Sequence, residues 1–285
     1  MVVLDYIAPA DFILKTVRNR LNAAIVVGSM GSGKTTWVLN KIGQGIGVLL
    51  EKGIEETQIA VVHGEEVSMS KYYEFIRKNV DVDKVKYLYL FNDDAPAGRG
   101  QHGRRAVSME NVEQSKKYIM IRHRLEDIGF NGALIVFHAT QVYHILDITF
   151  RRSAKLKIFK DYPDEPADQK LIGRMLGKAY FRKLAEITYK IWQPKSEKEL
   201  LEGLSKAVVK FIKTKRVVTA KPSKIPSECY YKVETDERMK DVKERRDRDL
   251  AYALARVLDE LNLPYKTNRM KYLLVKMNGS WTSLP

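Results

Sequence analysis

Short apolar runs recur along the first half of the chain. Each is followed by a polar or glycine-containing break and then by an amphipathic stretch. The runs are 23–27, 59–62, 86–91, 133–139 and 154–160. They are continuous rather than alternating, as expected of strands covered on both faces of a parallel sheet. Between them, helical spacing is predicted over 34–50, 65–79, 108–129 and 142–149, and helices again over 167–192. In 108–129, Ser108 with Asn111 three residues on, and Glu110 and Glu113 in the first turn, give a helix start. Ile119, Met120, Leu125 and Ile128 supply its apolar face, and Gly129 takes the terminating position. Strands alternating with helices predict an α/β fold with a mostly parallel central sheet flanked by helices.

The ends of the chain read differently. Phe12, Ile13, Val17 and Leu21 share one helical face within 1–22, either a packing helix or a contact to a neighbouring subunit. The proline-punctuated 161–166 breaks the pattern, and Gln193-Pro194 closes the helical stretch after it. The first domain is therefore expected to span 1–194, leaving a smaller, basic, helix-rich region over 195–285. An amphipathic helix is expected over 196–211. From Lys206 to Lys224 there are seven basic residues and no acid, with a strand and linker at 215–224. A long charged helix is expected over 235–263, apolar at Leu250, Leu254, Val257, Leu258 and Leu261, and a short one over 265–278. A hairpin-like GSWTSLP ends the chain. This region suits either a small DNA-binding module or a helical pair docking on a partner.

Between the run ending at Val27 and the helix beginning at Lys34 lies GSMGSGKTT. Gly28, Gly33, Lys34 and Thr35 fill every fixed position of G-x-x-x-x-G-K-[ST], in the strand–loop–helix context that motif requires. Glycines let successive backbone N–H groups turn inward on an anion, and the helix N-terminus adds its positive end. The nucleotide-binding set is Gly28, Ser29, Met30, Gly31, Ser32, Gly33, Lys34, Thr35 and Thr36. Lys34 would reach the β- and γ-phosphates of ATP, and the Thr35 hydroxyl would ligate Mg2+.

Further candidates sit where the other apolar runs end. Asp93 and Asp94 follow 86–91; Asp93 would share the Mg2+ with Thr35, and Asp94 would orient or deprotonate the attacking water. Thr140-Gln141 ends 133–139, where the Gln141 amide can hydrogen-bond the γ-phosphate or its water. Arg151 and Arg152 lie just beyond, as either plain surface arginines or fingers that could reach the γ-phosphate of an adjacent subunit. His63 falls at a strand end, as either a turn residue or a catalytic one. The loop 95–107 carries Arg99, His102, Arg104 and Arg105 without an acid, and suits DNA phosphates, a neighbour's nucleotide, or a plain surface loop.

Charge narrows the partners. Fifty Lys and Arg residues against 35 Asp and Glu give +15, which favours nucleic acid or, less often, an anionic membrane surface. Cys229 is the single cysteine, so neither an internal disulfide nor a cysteine-based zinc site can form. No apolar run reaches the roughly 18 residues of a membrane span. The start MVVLDYIAPADF lacks a secretory pattern, so an intracellular, cytoplasmic location is expected.

Four segments, GSMGSGKT, YLFNDDA, IRHRLEDIGFNGALIVFHATQ and ILDITFRRSAKLKIF, together resemble ATPases of the FtsK/HerA superfamily, and most of all its viral genome-packaging branch. The resemblance covers roughly residues 20 to 160. It rests on the glycine loop, Arg122-His123, Thr140-Gln141 and the element 150–154. Asp94 stands where much of the superfamily has glutamate, and Ser153 where it has asparagine. The resemblance implies Mg2+-dependent ATP hydrolysis by a homo-oligomeric, hexameric ring that translocates double-stranded DNA. Genome packaging, in the host cytoplasm and with a virion or membrane partner, or plasmid transfer would be the task. The alternatives are a nucleotide-switched DNA-binding or assembly protein, and a secretion or filament-extrusion ATPase.

Overall fold

The computed structural model describes residues 2–3, 21–65, 67–93, 120–144, 146, 148–211, 225–234, 265–268, 272–277 and 280–283. Eight strands form one sheet: β1 (Val2–Val3), β2 (Leu21–Val27), β3 (Ile59–Glu65), β4 (Tyr87–Asp93), β5 (Ala133–Thr140), β6 (Leu156–Phe159), β7 (Val208–Phe211) and β8 (Tyr230–Val233). Their spatial order is β1-β7-β6-β2-β5-β4-β3-β8. All pairs from β6 across to β8 are parallel. β7 joins β6, and β1 joins β7, antiparallel. This is the α/β architecture that the apolar runs predict. β5 stands between β2, which leads into the glycine loop, and β4, which carries the acid.

Both faces of the sheet are covered, which explains the continuous runs. Ala23, Ile25 and Val27 face one core with Val62, Leu90 and Val136, under the helices Met69–Asn79, Pro166–Leu176 and Lys178–Trp192. Ala24 and Val26 face the other with Phe91 and Phe137, under Trp37, Val38, Ile42 and Ile46 of the helix Lys34–Glu51. Each large side chain buried this way stabilises the fold by about 1.5–3 kcal/mol.

Several expectations are corrected. β3 does not break at His63-Gly64 but runs on to Glu65, because Gly64 and Glu65 pair with Asn92 and Asp93 of β4. The helix after it starts only at Met69, where the Ser68 hydroxyl accepts the Lys71 N–H. β4 likewise takes in Asn92 and Asp93. Helix does not begin at Val142: Asp168 accepts the N–H groups of Tyr143 and His144, at 2.8 and 2.6 Å, and the helix spans Ile148–Ser153. Met120 is 48% exposed and leaves its helix's apolar face to Ile121, Leu125 and the partly buried Ile128. Gly129 has the expected positive φ of 96°.

Among the described residues beyond 194, α-helix covers Glu197–Ser205, and the β-branched Val208-Val209 enters β7. The main sheet thus takes β7 and β8 from the region expected to be separate. The helix expected over 265–278 is instead β9 (Tyr265–Asn268) and β10 (Tyr272–Met277), joined antiparallel by β11 (Ser280–Ser283). Asn278-Gly279, which separates β10 from β11 in the sequence, is a hairpin signal by residue type. The expected helix before residue 21, Asp94, the basic loop 95–107, the first part of helix 108–129, the segment 215–224 and the helix 235–263 lie outside the described residues. Among the described residues, no helix is long and apolar enough to cross a membrane.

Candidate functional site

The glycine loop leaves β2 at Gly28 and closes at Gly33, the N-cap of the helix Lys34–Glu51. Gly31 and Gly33 have φ of 80° and 77°, in the left-handed region where a side chain is strained. Gly28 is required for a different reason. A Cβ there would lie 2.5 Å from Ser32 Oγ and 2.8 Å from Lys160 Cβ. Its N–H donates to the Thr140 carbonyl at 3.2 Å, tying the loop to the end of β5. The first turn of the helix holds no acid, so no side chain of that turn offsets its positive end. The Ser32 hydroxyl is buried with no hydrogen-bond partner among the described residues. Lys34 is 6% exposed, and its ammonium donates to the Ser29 carbonyl at 3.0 Å, arching back along the loop.

One side of the loop meets β4. The Thr35 hydroxyl donates to Asp93 Oδ2 at 2.5 Å. Parallel pairing in register sets His63 beside Phe91 and Glu65 beside Asp93. Residues two apart in a strand share a face, so all four side chains lie on one face. The Tyr72 hydroxyl fixes this register, 3.0 Å from the Gly64 carbonyl and 2.7 Å from that of Phe91. The His63 ring stacks on Phe91, with centroids 4.7 Å apart, and its Nε2 lies 3.9 Å from Asp93 Oδ2. Burial pushes the Asp93 carboxyl up. The His63 and Thr35 contacts and the Lys34 charge outweigh that and hold it below its ordinary value.

The other side meets the residues after β6. The Ser29 N–H donates to both carboxylate oxygens of Asp161, at 3.1 and 3.0 Å, and the Ser29 hydroxyl donates to one of them. Here burial wins: it raises the Asp161 carboxyl despite the Ser29 bonds and the Lys34 charge. The neighbouring Lys160 ammonium donates to the carbonyls of Leu204 and Lys206, at 2.6 Å each. Leu204 in turn comes against Gly33, where an added Cβ would meet its Cδ2 at 3.2 Å. The end of the helix Glu197–Ser205 is therefore fastened against the loop.

The remaining candidates are spread out. Ser29, Met30, Gly31, Gly33 and Thr35 are half-buried, and Thr36 is exposed. Gln141 is exposed at the end of β5. Arg151 and Arg152 share the helix Ile148–Ser153 rather than following one. Arg151 lies half-buried, 5.5 Å from the Tyr143 ring centroid, while Arg152 is exposed. Arg122 is buried: Nη1 donates to the Gly132 carbonyl at 2.8 Å and Nε to Glu126 at 3.0 Å, which fastens its helix to the turn before β5. His138 is lowered to about 4 by burial and packs edge-on against Phe150.

Sequence reasoning missed Glu65, Tyr230, Lys160 and Asp161. Asp161 follows the last apolar run almost directly, much as Asp93 follows an earlier one, and that parallel was the available signal.

A mostly parallel sheet, a glycine loop between an inner strand and a helix, and an acid reaching the loop from two strands away make up the P-loop nucleoside triphosphatase fold. No family model matches the chain, and no curated protein does either. Solved structures similar to it include the genome packaging NTPase B204 from Sulfolobus turreted icosahedral virus 2 in complex with ATP-gammaS, at 15% identity and a TM-score of 0.36, over 57% of this chain and 85% of that one. The same NTPase in complex with AMP matches at 16% identity and a TM-score of 0.36, over 59% and 88%. B204, the DNA-packaging ATPase from Sulfolobus turreted icosahedral virus, matches at 16% identity and a TM-score of 0.35, over 58% and 87%. Likenesses this distant carry no argument about what this chain does.

Proposed function

We propose that this chain is a Mg2+-dependent ATPase of the FtsK/HerA type that translocates double-stranded DNA. It works as a homo-oligomeric, hexameric ring inside the cell, in viral genome packaging or plasmid transfer. The observation that carries the nucleotide reading is the 2.5 Å contact of Thr35 with the buried Asp93, at the foot of a loop bent by two positive-φ glycines.

A hydroxyl and a carboxylate supply the oxygen donors that a hard cation takes, so Thr35 and Asp93 fit Mg2+. When bound, the ion neutralises charge on the β- and γ-phosphates. The loop amides and the Ser32 hydroxyl take up phosphate oxygens. Lys34 turns from the Ser29 carbonyl to the transferring phosphoryl group and stabilises its charge. Asp94 positions the attacking water, and Gln141 senses the γ-phosphate. An arginine from a neighbouring subunit, Arg151 or Arg152, completes the site; the exposure of Arg152 suits that reach. The +15 charge and the basic loop 95–107 supply the attraction for DNA.

The test is ATP turnover by purified protein, with and without double-stranded DNA. Turnover stimulated by DNA is expected, and Lys34→Ala is expected to abolish both ATP binding and turnover. ATP binding without turnover, whatever the DNA, would replace the motor with a nucleotide-switched assembly protein.

A further inference from the structure

The face shared by β3 and β4 carries a group of donors that the ATPase reading uses only in part. His63, Glu65 and Asp93 each offer one ligand atom, and these lie within 4.8 Å of one another. Two of the three are carboxylates on adjacent strands, fixed side by side by the register. The third is an imidazole whose Nε2 is buried and makes no hydrogen bond among the described residues, with the His63 side chain only 5% exposed.

The ring is held for this position from two sides. Phe91 stacks on it with an interplanar angle of 13°, and Nδ1 lies 2.5 Å from the Tyr230 hydroxyl. An Nδ1–H given to the Tyr230 oxygen leaves the Nε2 lone pair turned toward the carboxylates. Metal-binding histidines are oriented in this way by the hydrogen bond of the other ring nitrogen. Tyr230 comes from β8, so the C-terminal part of the chain helps to build the cluster.

We propose that His63, Glu65 and Asp93 bind a first-row divalent cation such as Mn2+ in the absence of nucleotide. A hard ion such as Mg2+ takes oxygen ligands and parts reluctantly with water, whereas an imidazole beside two carboxylates suits a first-row transition cation, Mn2+ included, better than Mg2+. Bonds of about 2.1 Å at right angles put neighbouring ligand atoms roughly 3 Å apart in the octahedral site that Mn2+ takes. The three ligand atoms close by about 2 Å or less as the cation enters. The site shares Asp93 with the proposed nucleotide cation and does not need the glycine loop.

The experiment is titration of the full chain, free of nucleotide, with Mn2+ alone, following the electron paramagnetic resonance signal of the free ion. One Mn2+ per chain is expected, persisting in about tenfold excess Mg2+. Glu65→Gln and His63→Gln are each expected to weaken uptake by about tenfold or more, with far-ultraviolet circular dichroism unchanged. Lys34→Ala is expected to leave uptake intact, which separates this site from nucleotide binding. No uptake by the wild type, equal uptake by Glu65→Gln and His63→Gln, or displacement by equimolar Mg2+ would overturn the proposal.

Discussion

Two buried aspartates grip the glycine loop from opposite sides, and they are tuned in opposite directions. Asp93, at the end of β4, holds Thr35 and lies below its ordinary pKa; Asp161, just past β6, holds Ser29 and lies above it. Both are nearly closed to solvent, at 2% and 5% exposure, and both feel Lys34. What differs is the company. Asp93 has a histidine and a threonine hydroxyl turned toward it, whereas the partners of Asp161 are the backbone N–H and hydroxyl of Ser29. A carboxylate kept ionised inside a protein is prepared for a cation. One whose charge is disfavoured serves better as a fastener for backbone. The same residue type is thus held ionised on one side of the loop and fastens backbone on the other.

Three measurements on two variants would sharpen or break this contrast. The largest effect is expected from Gly28→Ala, which forces a methyl against Ser32, Lys160 and Asp161, on the Asp161 side of the loop. Overpacking costs about 1–3 kcal/mol, or roughly five- to 150-fold if it falls on ATP affinity, read by titration with a fluorescent ATP analogue. Asp161→Asn keeps an acceptor for the Ser29 N–H and removes a negative charge beside the phosphate site. ATP should bind about two- to fivefold more tightly, with turnover retained; a tenfold loss would make Asp161 part of the chemistry.

The smallest effect is on acid unfolding. Asp93, held below 3.8, contributes stability above that value that is lost as pH falls through its folded pKa. Asp161, held above 3.8, takes up its proton in the folded chain first, so stability gains as pH falls from its folded pKa toward 3.8. Asp161→Asn removes that gain. Its urea midpoint should fall more steeply than the wild type's between neutral pH and pH 4.

The contrast also marks what the sequence could reveal. The loop is contiguous, and its residue types are fixed by backbone geometry, so Gly28 to Thr35 could be read directly. Asp93 was legible because an acid after an apolar run is local information. Strand order was not, so nothing local linked Asp161 to Ser29, or Tyr230 to His63, 132 and 167 residues apart. His63-Gly64 reads as a break because both residues are poor strand formers. Pairing with β4 on one side and β8 on the other overrides that preference. Val208-Val209 and 265–278 were misread through helical spacing, although β-branched residues and Asn278-Gly279 favour strands and a hairpin.

We propose that Asp93, and not Asp161, serves the cation that accompanies a triphosphate. The direct measurement is ATP affinity with and without Mg2+ in wild type, Asp93→Asn and Asp161→Asn. Mg2+ should tighten ATP binding in wild type and Asp161→Asn, and should make less than about a twofold difference in Asp93→Asn. An undiminished Mg2+ effect in Asp93→Asn would contradict the claim.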